Sequence, residues 1–223
     1  MGTVVGEILP LAIGIALSPV PIIAAILMLL SPRARSSGVG FLVGWVLGIV
    51  VAVVIFTLLS SMFLEGGSEG SQPVSGAIRI ALGALMLLFA ARTWRSRPRG
   101  GEEPPLPKWM ASIGTMTAGR ALLLGFALSA LNPKNLIMGV SAGVAIGGSD
   151  LDTGRTLAAM AIYTAVAAST VAVPVIGYLV ARRRMAAPLE ALRGWLVHNN
   201  ATILTVLLLV IGFVIIGKGI ASF

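Results

Sequence analysis

Residues 131–136, Leu-Asn-Pro-Lys-Asn-Leu, interrupt an apolar stretch whose flanks, Ala121–Ala130 and Ile137–Gly147, are together long enough to cross a bilayer. Pro133 has no amide hydrogen to donate and clashes with the turn before it, so a helix through this stretch breaks there. Asn132, Lys134 and Asn135 then lie near mid-depth, where a charge costs about 2.5–3.5 kcal/mol even on the milder insertion scale. The sequence offers no packing reason for that placement. An ionisable residue at a helix break inside a membrane marks a candidate site.

The stretch has an echo one half-chain earlier. Leu17-Ser18-Pro19-Val20-Pro21-Ile22-Ile23 aligns with Leu131-Asn132-Pro133-Lys134-Asn135-Leu136-Ile137, Pro19 falling on Pro133, and both runs sit midway along apolar segments. Two interrupted hydrophobic segments in corresponding halves point to a binding site formed where two structural repeats meet.

The remaining chain sets these breaks in a membrane. With 57% hydrophobic and 11% charged residues, an ordinary water-soluble domain is excluded. Six spans are read, near 4–30, 38–62, 74–93, 113–147, 155–181 and 199–221, too many for a cleaved signal peptide to explain. The Pro-, Gly- and Arg-rich residues 95–112 form a basic cytoplasmic linker between a first three-helix repeat, 1–94, and a second, 113–223. The expected fold is an all-α integral membrane protein, with the first and fourth of its helices broken at proline.

Charge sets the expected orientation. Loops one, three and five carry Arg33, Arg35, Arg92, Arg95, Arg97, Arg99, Lys108, Arg182, Arg183, Arg184 and Arg193. Loops two and four carry Glu65, Glu69, Asp150 and Asp152, with Arg155 their only base. The positive-inside rule puts the basic loops in the cytoplasm and both termini outside, in a multi-pass protein of the cytoplasmic membrane. Three spans per half then make the halves inverted repeats, the plan of alternating-access transporters. The same distribution assigns the net charge of +8 to topology and excludes nucleic acid as a partner.

Other features read as packing or anchoring. Gly40, Gly44 and Gly48, and Gly139, Gly143 and Gly147, recur every fourth residue and let helix backbones approach closely. Trp94, Trp109 and Trp195 flank basic loops as an interfacial belt. Leu189, Leu192 and Trp195 are spaced for a helix over 187–197 lying along the inner surface, with His198 at its border. Glu7 and Arg79 stand at similar depth near the outer face, a candidate ion pair.

Zero cysteines exclude disulfides and thiol chemistry. No metal site and no cofactor is expected. The close carboxylate pairs, Asp150 with Asp152 and Glu102 with Glu103, have no neighbouring histidine or nucleophile, so the chain is not read as an enzyme.

The breaks carry a resemblance. Asn132-Pro133-Lys134 matches the second motif of the lysine exporter (LysE) superfamily, and Pro19-Val20-Pro21 resembles its Pro-Gly-Pro with Val20 in place of glycine and Ile22 in place of the following polar residue. Ala16-Leu17-Ser18-Pro19, the basic middle loop and the six spans are similar to the GAP/Sap branch, named for glycolipid- and sulfolipid-addressing proteins. The resemblance implies export across the membrane. Ile22 removes the group that would face an ammonium ion, while Lys134 and the helix end after Pro133 favour an anion.

The expected function is therefore flippase-like export of an anionic lipid, glycolipid or lipid-linked small molecule, with Ser18, Pro19, Pro21, Asn132, Pro133, Lys134 and Asn135 binding substrate. The prolines are expected to keep unpaired carbonyls at the breaks. The alternatives are a LysE-type exporter of amino acids or other small metabolites, and a non-transporting accessory protein of envelope assembly. Expected partners are membrane lipids and the anionic substrate, with a homo-oligomer left open.

The orientation is testable by labelling. Arg97→Cys and Arg184→Cys will be shielded from an impermeant thiol reagent in intact cells, whereas Gly67→Cys will react. Labelling of Arg97→Cys from outside overturns the assignment.

Overall fold

The computed structural model describes residues 1–64, 71–97 and 108–221. Glu65, Gly67, Glu69, Arg99, Glu102 and Glu103, all weighed above, lie outside the described residues. Among those described the fold is helical throughout: α1 (Gly2–Ala16), α2 (Pro19–Leu29), α3 (Ala34–Leu64), α4 (Ser71–Arg95), a 3-10 segment (Lys108–Thr115), α5 (Ala118–Ala130), α6 (Pro133–Gly147) and α7 (Thr153–Ile220).

Four stretches are each long and apolar enough to cross a membrane: Ala34–Met62, Gly76–Arg95, Thr153–Arg182 and Arg184–Ile220. The last two are limbs of α7, divided where Ala181 leaves helical geometry at φ −135° and ψ 50°. The pairs α1–α2 and α5–α6 pass the same test together, bent by 51° and 62°, giving up to six spans. This is a membrane-embedded helical protein. Side chains directed at lipid have no water to avoid, which accounts for exposed Leu58, Leu88, Val173, Val180 and Phe213.

The two bends have the same local construction. Leu17 and Leu131 end their helices by donating to the Ile13 and Ala127 carbonyls, both at 2.9 Å. Ser18 and Asn132 are the extended N-caps, and Pro19 and Pro133 occupy the first position of the resumed helix. Proline is well placed there, because its missing N–H has no intrahelical partner to lose and its φ is already helical. Each break therefore falls at the residue pair before the proline, and the proline starts the new helix.

The bent pairs are enclosed by straight helices. α3 runs along α5 and α6, α4 runs along the C-terminal limb of α7 with Gly83 beside Gly212, and α1 and α2 lie against α7. The α3–α5 approach is close enough to need glycine: a Cβ on Gly44 would fall inside van der Waals contact of the Leu122 carbonyl oxygen. Around this line Phe41, Trp45, Ile49 and Ala121 are fully or almost fully buried, and the Phe41 and Trp45 rings stack at 6.4 Å.

The end of α7 departs from the expected segmentation. Residues 187–197 are not a separate surface helix but early turns of the continuous Arg184–Ile220 limb. At 1.5 Å per residue that limb is about 55 Å long, more than a hydrocarbon core of about 30 Å requires, so part of it lies beyond the core or is inclined. Leu189 is buried, whereas Leu192, Trp195 and His198 are exposed.

One substitution made at two places tests the packing. Gly44→Ala will lower the thermal midpoint in detergent by several degrees, reflecting about 1–3 kcal/mol of overpacking against backbone that cannot yield. Gly6→Ala, at a site with open space around it, will leave the midpoint unchanged or raise it. Equal midpoints for the two variants contradict the close approach.

Candidate functional site at the two helix breaks

The two breaks meet. A cavity of about 230 Å³ is lined by Ser18, Pro19, Val20 and Pro21 from the first, by Asn132, Pro133 and Lys134 from the second, and by Phe89, Thr93, Leu204 and Leu208 from α4 and α7. Among the described residues no carboxylate lines it. Phe89 and Thr93 put the cavity toward the Arg92–Arg95 end of α4, the basic end of the bundle.

Lys134 is 6% exposed and reaches from one break to the other. Its Nζ donates to the Gly14 carbonyl at 2.7 Å and to Ser18 Oγ. Glycine at position 14 brings the backbone near, since any side chain there would meet Met138 of α6 and Ile211 of α7. The Lys134 charge, for which the sequence offered no packing reason, is thus offset by the negative end of the α1 dipole and a hydroxyl. The ammonium has three N–H groups and two are engaged.

The last turn of α1 is fully paired. The carbonyls of Ile13 and Ile15 accept from the Leu17 and Ser18 amides, that of Gly14 from Lys134, and that of Ala16 from Thr170 Oγ1. This corrects the expectation of unpaired carbonyls for the last turn of α1. In hydrocarbon an unsatisfied carbonyl costs several kcal/mol, and remote side chains remove that penalty. At the second break Asn135 Nδ2 donates to the Leu128 carbonyl at 3.1 Å.

What the breaks leave over is mainly donors. Asn132 Oδ1 accepts from the Lys134 amide at 3.0 Å, which leaves its NH₂ group for the cavity. The Ser18 hydroxyl accepts from Lys134 and retains its own hydrogen. The N-termini of α2 and α6 both open here and favour negative charge, although Pro19 and Pro21 withhold two first-turn amides from α2. Asn135, by contrast, is 2% exposed, does not line the cavity, and holds its Oδ1 buried without a partner.

Sequence reasoning named Ser18, Pro19, Pro21, Asn132, Pro133 and Lys134, and the fold brings these six to one cavity. It missed Gly14 and Thr170, which complete the break, and Phe89, Thr93, Leu204 and Leu208, which wall it. Hydroxyls are ordinary in membrane helices, where most bond their own backbone, so Thr170 carried no distinguishing signal.

The other charges have separate places. Glu7 Oε2 and Arg79 Nη2 are 3.9 Å apart, and both line a narrow space of about 20 Å³ together with Lys218 and Ser141. Asp152 caps α7 by accepting from the Arg155 amide and pairs with the Arg155 side chain at 3.2 Å, which is structural work. Trp94 stacks under the Arg97 guanidinium at 3.4 Å. Among the described residues no group of His, Cys, Asp or Glu is arranged to hold a metal ion.

The fold and cavity define a polytopic helical membrane protein with an electropositive polar site at two facing helix breaks. Residues 8–221 match the model of the Sap, sulfolipid-1-addressing protein, family, and the chain belongs to that family. No curated protein and no solved structure matches it significantly. The family and the apolar helices fit a membrane protein involved in lipid or glycolipid handling.

The Glu7 cluster makes a sign-specific prediction. Glu7→Gln removes the carboxylate that faces both Arg79 and Lys218 in this space, whereas Arg79→Gln leaves Glu7 beside Lys218. Glu7→Gln will therefore lower the thermal midpoint more than Arg79→Gln, by about 2–4 °C for each kcal/mol between them. The double variant will recover part of the loss, and strict additivity in the cycle contradicts the pairing.

Proposed function

We propose that this protein exports an anionic lipid, glycolipid or lipid-linked molecule across the cytoplasmic membrane by alternating access, with the head group held at Lys134. The observation that carries the reading is the buried Lys134 ammonium at a cavity formed by both breaks, with the Asn132 amide and Ser18 hydroxyl beside it and no carboxylate among the described residues of the wall. Such a donor-rich site suits an oxyanion and disfavours a cationic amino acid. A volume of about 230 Å³ holds a small polar head but not acyl chains. Phe89, Leu204 and Leu208 offer the chains an apolar wall.

The transport cycle follows from the proposed repeat. The halves 1–94 and 113–223 are inverted copies within the LysE superfamily plan, each opening with a broken helix, and both termini lie outside. Support comes from the matched construction of the breaks, and from α3 of the first half lining the second half's broken helix while Thr170 of the second half bonds Ala16 of the first. The space at the breaks is wider on the basic side, about 230 Å³, than around Glu7 and Arg79, about 20 Å³, which suits a state loaded from the cytoplasm. Rocking of one half against the other would exchange these two widths.

A purely structural role for Lys134 is the competing reading, because its two hydrogen bonds join the breaks. Lys134→Met separates the two. It strands the Gly14 carbonyl, so the thermal midpoint will fall by an amount reflecting about 1–3 kcal/mol. If the ammonium also binds substrate, affinity for an anionic lipid at the breaks, read in nanodiscs by crosslinking from a photoreactive residue placed at Leu204 of folded protein, will drop about 10- to 100-fold. Lys134→Arg will retain partial binding, since charge persists in a broader planar group. Equal anionic-lipid binding at the breaks by wild type and Lys134→Met, or preferential binding of lysine by wild type, refutes the proposal.

A further inference from the structure

A second electropositive site lies away from the breaks. The start of α3 and the end of the N-terminal limb of α7 enclose a groove of about 530 Å³, lined among others by Arg33, Arg35, Ser36, Tyr178 and Arg182. Tyr178 is eight residues beyond Thr170, which bonds the first break, so the groove is about 12 Å farther along the helix axis. That is beyond the reach of Lys134, and the two sites share no lining residue.

Three features of the groove await an anion. Arg33 and Arg35 flank the first turn of a 31-residue helix that has no acidic residue there, so two cations stand at the positive end of the dipole, where cations are disfavoured. Arg182 comes to the same groove from 147 positions beyond Arg35 (182 − 35), and among the described residues none of the three arginines has a carboxylate partner. The Arg182 guanidinium is also fixed in place: its Nε donates to the Tyr178 hydroxyl at 2.8 Å, and its Cζ lies 5.7 Å from that ring's centroid. Both terminal nitrogens of that fork remain for a ligand. A second open space of about 410 Å³ adjoins through Arg182 and brings Arg184. Charge attraction to a membrane surface needs no such fixed geometry, whereas a fork held by Tyr178 beside a helix N-terminus suits the several oxygens of one tetrahedral oxyanion.

We propose that Arg33, Arg35 and Arg182, with the N-terminus of α3, bind a phosphate- or sulfate-type oxyanion at the basic membrane boundary. The oxyanion is either a lipid head group or a free ion; the recognition chemistry is the same. The site is independent of the Lys134 cavity and of its proposed role.

Purified full-length protein is examined by native mass spectrometry in neutral detergent with phosphatidylglycerol, phosphatidylcholine or inorganic phosphate, as wild type, Lys134→Met, and Lys134→Met carrying Arg33→Gln/Arg35→Gln/Arg182→Gln. Wild type and Lys134→Met will retain phosphatidylglycerol over phosphatidylcholine, and the three arginine substitutions made in the Lys134→Met protein, where the breaks no longer hold a head group, will remove at least about tenfold of that preference. Retention of inorganic phosphate with the same dependence on the arginines supports the site with a soluble ion as its ligand. Arg182→Lys in the Lys134→Met protein, which keeps the charge and forfeits the fork, will fall between that protein with and without the three arginine substitutions and guards against misfolding of the former. Equal retention of both anions by Lys134→Met with and without the three arginine substitutions, or retention of neither by wild type, overturns the site.

Discussion

A helix that stops inside a membrane leaves its last carbonyls without amide partners, and nothing in the surrounding hydrocarbon can supply them. In this protein the end of α1 is such a place, and the way it is completed constrains the whole bundle. Two of its carbonyls are met by the local turn, but those of Gly14 and Ala16 are met by Lys134 and Thr170, 120 and 154 residues away. For these bonds to form, α6 and α7 must both lie within hydrogen-bond range of one turn of α1. The break is stable only as part of the assembled protein, which ties its local geometry to the relative positions of separate helices.

That dependence gives Lys134 two aspects. Its bonds to Gly14 and Ser18 make it a brace between the breaks, and its remaining N–H makes it a donor toward the cavity. The aspects are compatible and, in a transporter, mechanically linked. A group that accepts an anion and also joins two moving halves allows the substrate to change how strongly the halves are held together. Coupling of this kind needs a ligand to bind one arrangement more tightly than the other. Under the proposed function, a single ammonium shared between a carbonyl, a hydroxyl and an oxyanion would supply such a difference.

The remaining charges are distributed by depth. The Glu7–Arg79 pair and Lys218 meet at the end of the bundle opposite the basic loops, Lys134 stands at the breaks, and Arg33, Arg35 and Arg182 gather at the basic end. Between these levels the contacts are made by small and apolar residues, because lipid tails give helices no hydrophobic reason to associate and close packing has to provide it. The glycine line of α3 serves that purpose against α5, and Gly143 and Gly147 of α6 do the same against α3.

The sequence alone determined the membrane class, the location of both breaks and which end of the bundle is basic. These are properties of local composition: an apolar run is recognisable wherever it lies, proline acts on its immediate neighbours, and arginines cluster in short loops. It also placed Asn132, Pro133 and Lys134 at a site, because a charge within an apolar run is anomalous without reference to any neighbour. Only the tertiary structure decided what those residues touch. Gly14 gave no sign of being the partner of Lys134, Thr170 looked like any hydroxyl in a membrane helix, and Arg182 was one of three consecutive arginines until the fold set it beside Arg33 and Arg35. It also changed one inference, since the carbonyls of Gly14 and Ala16, which the break was expected to leave open, are paired by those distant side chains. The reason is general: backbone satisfaction in a membrane is a local requirement, but the group that meets it comes from whichever helix packs closest, and one chain's pattern of hydropathy does not encode that.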